Sequence, residues 1–160
     1  MTIRDYNLVM SNQQVVTFAS ATLTYGTNVL DLTDGYGKDM WGDAKYGQPG
    51  ENKRLWLNVL VTTTFTSSTS AAKFKVGLYT GTSESAPQTK LFETGWITKG
   101  SSSPNLVAGQ YLVRMPLPAI GMQRYLAVGY TSGVTKFSAG KVDAWIGLSS
   151  ESPLLAGTKL

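Results

Sequence analysis

The chain has 160 residues, with 14 Lys and Arg against 10 Asp and Glu for a formal charge of +4. It is the size of one domain able to bury a real core, and 42% of its residues are hydrophobic. It has no cysteine and no histidine, which excludes disulfides, thiolate nucleophiles and the usual zinc ligands. In chain order, "VVTFASATLTY" (15–25) and "NVLDL" (28–32) predict the first strands. "LWLNVLVTTTF" (55–65) sets Leu55, Leu57, Val59 and Val61 on one face, with Trp56, Asn58 and Leu60 on the other. "KFKVGLYT" (73–80) alternates Phe74, Val76 and Leu78 against Lys73 and Lys75, the pattern of a half-buried antiparallel strand. "TKLFETGWI" (89–97), "GQYLVRMPL" (109–117), "GMQRYLAVGYTSG" (121–133) and "KVDAWIGL" (141–148) bring the total to about eight.

No segment carries apolar residues at i, i+3, i+4 and i+7 for long enough to predict a helix. Strands without crossover helices pair mainly antiparallel, so the expected fold is all-β, a double-sheet jelly roll or a barrel. One domain is predicted, with an N-terminal arm at 1–14, a long insertion loop at 33–54 and a C-terminal tail at 149–160. The strand at 121–133 poses a problem, because Tyr125, Ala127 and Gly129 stand opposite its core-facing Leu126, Val128 and Tyr130. Something is expected to cover that second face. An echo between "FTSSTSAAKFKVGL" (65–78) and "FSAGKVDAWIGL" (137–148) reads as two strands meeting similar demands rather than as a duplication.

The chain offers little chemistry. Ser70-x-x-Lys73 and Ser138-x-x-Lys141 match a pattern used in acyl transfer, which needs both side chains on one helical face. Each leads into a strand, where a spacing of three points the side chains apart by roughly 10 Å. Asp31, Asp34, Asp39, Asp43 and Glu51 cluster in sequence, but they lack calcium-loop spacing and are interleaved with Lys38, Lys45, Lys53 and Arg54. No catalytic, metal or cofactor site is predicted. The basic residues are scattered singly, unlike a nucleic-acid footprint, and the longest apolar stretch is too short to span a bilayer.

Apolar residues do occur in unexpected places. Ile3, Tyr6, Leu8, Val9 and Met10 precede the first predicted strand, and Tyr36, Met40, Trp41 and Tyr46 lie in the 33–54 loop. They either fold back over the sheet ends or anchor an interface, where Tyr, Trp and Met are enriched. The segments "IRDYNLVMSNQQVVTFAS", "NVLDL", "LWLNVLVTTTFTSSTSAAKFKVGLYT" and "LVAGQYLVRMPLPAIGMQRYLAVGYTSGVTKFSAGKVDAWIGL" together resemble the capsid cement, or decoration, proteins of tailed bacteriophages. The likeness spans residues 3 to 148 and rests on the order and spacing of these segments.

That resemblance implies a jelly-roll β-sandwich of about eight antiparallel strands that assembles as a homotrimer on the outer surface of the virion capsid after synthesis in the host cytoplasm. Its partner would be the major capsid protein, with no direct nucleic-acid or membrane contact, no cofactor and no enzymatic activity. Ile3, Tyr6, Leu8, Met10, Tyr36, Met40, Trp41, Tyr46, Trp56 and Tyr125 are the expected contacts to the shell or a neighbouring subunit. A carbohydrate-binding jelly roll is the alternative, with Trp41, Trp56, Trp96 or Trp145 stacking on sugar rings.

Overall fold

The computed structural model describes residues 8–32, 55–85, 87–100, 105–118 and 121–148. Among them lie ten strands: β1 (Val9–Val15), β2 (Leu23–Tyr25), β3 (Leu30–Asp31), β4 (Leu55–Thr66), β5 (Lys73–Gly81), β6 (Thr89–Glu93), β7 (Ile97–Thr98), β8 (Tyr111–Pro116), β9 (Tyr125–Gly133) and β10 (Ala139–Leu148). Every pairing is antiparallel. The first sheet runs β1-β10-β4-β8 and the second β2-β9-β5-β6, with β3 also on β9 and β7 also on β5. Since β2 and β3 are two pieces of one edge, as are β6 and β7, the ten strands fill eight positions. The fold is thus the expected antiparallel β-sandwich.

The pairing follows a simple rule. β1 lies on β10, β2 on β9, β4 on β8 and β5 on β6, as in one long hairpin, and the hairpin then closes on itself through β10·β4 and β9·β5. The period-two pattern dictates which face turns inward. Leu57, Val59 and Val61 of β4 and Val142, Ala144 and Ile146 of β10 meet Phe74, Val76 and Leu78 of β5 and Leu126, Val128 and Tyr130 of β9 in one buried core. Each fully buried large side chain contributes about 2–3 kcal/mol.

Aromatic rings fill one end of this core. Phe65 packs edge-on to Phe74 at 4.8 Å and to Phe137 at 5.0 Å, and Phe74 stacks on Tyr130 at 5.9 Å. The Tyr130 hydroxyl donates to Ser11 Oγ at 2.8 Å, which donates in turn to Gln14 Oε1 at 2.7 Å, so the polar atom buried with the ring is satisfied. The two Phe residues that open the sequence echo, Phe65 and Phe137, are therefore neighbours, although β5 and β10 belong to different sheets.

The N-terminal region differs from the expectation. The first strand is Val9–Val15, which begins within the segment read as an arm and ends just past it, and residues 16–22 are irregular. Alternation is hard to see there because β1 is an edge strand with two register shifts against β10 and a positive φ of 49° at Gln13. Met10 is consequently fully buried in the core, and Leu8 is half-buried against it. Met10 has no surface to offer a neighbour, so its reading as an interface contact is corrected.

Candidate interaction surface

The second face of β9 is covered from within the chain. Gly77 of β5 and Gly129 of β9 stand directly opposite each other and leave a flat floor. The ring of Tyr79 lies on that floor, where a Cβ on either glycine would come within 2.6 Å of the ring. Leu23 approaches Gly129 from the other side, and Tyr25 meets Tyr79 edge-on at 5.8 Å. Tyr125 itself stays half-buried, with the Arg124 guanidinium 4.8 Å from its ring centre and paired to Asp31 at 2.8 Å. Side chains of the same subunit thus do much of what the sequence suggested a neighbour would do.

A charged cluster fixes Tyr79. Its hydroxyl donates to Glu93 Oε1 at 3.2 Å, and Glu93 is bridged by Lys75 at 3.0 Å and Lys90 at 3.3 Å. Burial opposes the Glu93 charge, but the hydrogen bonds from Lys75, Lys90 and Tyr79 together hold its carboxyl below the usual range. Tyr79 moves the other way. Burial, the adjacent Glu93 charge and the bond to that carboxylate push it up to about 12.

A proton bound more tightly in the folded chain stabilises the fold fully below the ordinary tyrosine value near 10, and that contribution disappears as pH rises from about 10 to 12. Urea unfolding at pH 9 and pH 11.5 should show a loss of on the order of 2 kcal/mol from this group. Tyr79→Phe should reduce that loss by about 1 kcal/mol or more. An identical pH dependence in the variant would show that Tyr79 does not retain its proton.

The outer face of the first sheet is also closely filled. Cross-strand rows place Val9 beside Trp145, Trp145 beside Asn58, and Asn58 beside Arg114, while Asp143 and Tyr111 flank Leu60. Val9, Leu60 and Trp145 form a second apolar cluster with Tyr111, and Trp145 is only 2% exposed. Asp143 Oδ1 accepts the Gln13 backbone N–H at 2.7 Å. Trp56, opposite Gly147 and Pro116, is half-buried.

Of the ten expected contact residues, Ile3, Tyr6, Tyr36, Met40, Trp41 and Tyr46 lie outside the described residues. The remaining four are dispersed. Met10 is in the core, Leu8 packs on it, Trp56 faces outward from the first sheet and Tyr125 from the second. Among the tryptophans proposed to stack on sugars, Trp145 is buried and Trp96 is 46% exposed. The serines of the two S-x-x-K pairs have other hydrogen-bond partners. Ser138 Oγ shares a hydrogen bond with Thr66 Oγ1 at 2.9 Å, and Ser70 uses its backbone carbonyl to bind Gly100. Of the clustered acids, only Asp31 is among the described residues, where it is paired with Arg124.

No curated protein matches the chain. The sequence model of the Bbp16 family matches residues 10–146, from the buried Met10 of β1 through Ile146 of β10 and so across both sheets. The chain therefore belongs to the Bbp16 family.

Proposed function

We propose that this protein is a structural component of a tailed-phage virion, a cement protein that binds the outside of the capsid as a trimer and bridges neighbouring major capsid protein subunits. The observation that carries this reading is the Bbp16 match, which covers nearly the whole sandwich and points to a phage-type structural protein. The rolled-hairpin strand pairing supports a jelly roll, an architecture able to present loops and sheet faces to several partners at once. On this reading the protein performs no reaction and uses no cofactor. It is assembled in the host cytoplasm, and it holds the shell because capsid subunits can separate only by breaking trimer contacts as well. Several modest contacts on one trimer then add through effective concentration.

Light scattering after gel filtration tests the assembly, and co-sedimentation with emptied, expanded shells tests the partner. The expected mass is near three times 17.2 kDa, with saturable binding to shells. A monomer that ignores shells would overturn the proposal. A carbohydrate-binding reading keeps the exposed ring of Trp96, and a glycan array on the same sample would reveal it.

A further inference from the structure

The loops β1–β2, β4–β5, β7–β8 and β9–β10 all emerge at one end of the sandwich, because Val15, Thr66, Lys73, Thr98, Gly133 and Ala139 are mutual neighbours in the two sheets. The large hydrophobic side chains that the fold leaves exposed among the described residues are Val15 at 50%, Leu23 at 37%, Trp96 at 46% and Val134 at 62%. Three of them lie at this end: Val15 pairs with Lys141, Trp96 packs on Gly133, and Val134 follows it, while Leu23 reaches Gly129 in the middle of β9. Single exposed apolar residues need no explanation, but three gathered at one end of a small domain do.

Charge is sorted the same way. Lys73, Lys75, Lys99, Lys136 and Lys141 belong to this end. Only Lys75 has an acidic partner among the described residues, and its ammonium also lies 4.9 Å from the Trp96 ring centre. None of the four described acids is paired with Lys73, Lys99, Lys136 or Lys141. Glu93 is bound to Lys75 and Lys90, Asp143 lies beside Leu60 on the first sheet, and Asp31 and Glu84 belong to the opposite end.

Backbone hydrogen bonds tie the described parts of these loops to the sheets and to one another. Lys99 N–H donates to the Ala72 carbonyl at 2.9 Å, Gly100 N–H to Ser70 at 3.1 Å, Ser138 N–H to Thr66 at 2.9 Å and Ala21 N–H to Ser132 at 2.8 Å. Val134 is locked at a φ of 71°, a conformation that a β-branched residue adopts only when its surroundings impose it. That conformation lies in the turn between β9 and β10 and leaves the side chain 62% exposed, so a contact made there is pre-organised and the ordering cost of binding is lower.

We infer that this end of the sandwich, with Trp96 and Val134 as apolar anchors among Lys73, Lys99, Lys136 and Lys141, is the surface that docks onto an acidic patch of a partner protein. Under the cement reading, on which the inference rests, that partner is the capsid subunit. Complementary charge speeds encounter and sets orientation, while the apolar pair resists dissociation. Binding is therefore salt-sensitive, because these cations sit at the surface.

The test is co-sedimentation of the full chain with emptied, expanded shells at about 50 and about 300 mM NaCl. Wild type should bind roughly tenfold more weakly at the higher salt. Lys99→Glu with Lys136→Glu should weaken binding at low salt by about tenfold or more, Trp96→Ala should do so at both salts, and Glu84→Gln at the opposite end should change nothing. Thermal melting of each variant verifies the fold. Wild-type binding that ignores salt, or a double variant that binds as wild type does, would overturn the docking surface alone. A wild type that never sediments with shells overturns the cement reading along with it. Retention of duplex DNA by wild type but not by the double variant, with shell binding equal in both, would assign the surface to nucleic acid instead.

Discussion

Phe74→Ala should destabilise the fold by about 3–5 kcal/mol, a large fraction of what a domain of this size has to lose. Phe74 is fully buried and touches three other rings, Phe65 at 4.8 Å, Tyr130 at 5.9 Å and Phe137 at 6.1 Å. These come from both sheets and from the β9–β10 turn, so no single neighbour can move into the space without opening another gap. Truncation removes the transfer free energy of the ring and leaves a cavity, and the edge-on and stacked contacts are lost as well. Urea unfolding followed by tryptophan fluorescence measures the effect. The midpoint should fall with little change in slope, and Phe74→Leu should recover a good part of the loss. A loss below about 1 kcal/mol for the alanine variant would show that the rings are loosely packed and that the site collapses around the gap.

The same rings support the basic end of the molecule, the docking surface proposed above. Phe65, Phe74 and Phe137 lie beneath the β4–β5 and β9–β10 loops, so loosening them would release the loops that present Lys136 and Val134. A Phe74→Ala chain that remains folded in the cold should bind its partner less well than a variant of equal stability altered near Gly81. The aromatic cluster pre-organises the loops above it as well as stabilising the core.

The strands were legible wherever both ends of the period-two pattern were. β5, with lysines on one side and Phe74, Val76 and Leu78 on the other, reads directly from its sequence, as do the core faces of β4, β9 and β10. The split edges and β1 were not, because an edge strand has one partner, tolerates bulges and carries polar residues such as Asn12 and Gln13 toward solvent. Composition could not reveal that Tyr79 roofs Gly77 and Gly129, since this depends on the register that sets two glycines opposite each other. The basic end escaped detection for a related reason. Lys73, Lys99, Lys136 and Lys141 look scattered along the chain and become neighbours only when four loops converge. Trp96, Val134 and Val15 show no common pattern in sequence either, for each belongs to a different strand or turn.

Gly140→Ala is the single-atom change expected to cost most, about 2–4 kcal/mol. Gly140 has a φ of 148°, which is nearly closed to residues with a side chain, and it sits at a register shift between β10 and β4. A Cβ there would come within 2.6 Å of the Phe65 ring and 2.9 Å of a Val16 methyl, both fully buried. Neither can retreat, because Phe65 is held by Phe74 and Phe137, and Gly140 accepts the Val16 backbone N–H at 3.2 Å. Backbone strain and overpacking therefore add. Gly109→Ala separates them, since Gly109 also has a positive φ, 89°, yet nothing lies within 4 Å of the site of its Cβ. That variant should lose only about 1 kcal/mol, from strain alone. Equal losses at the two positions in urea unfolding would show that the aromatic end yields to an added methyl. A loss at Gly140 several times larger would establish that this end is packed tightly enough to hold the loops above it in one conformation.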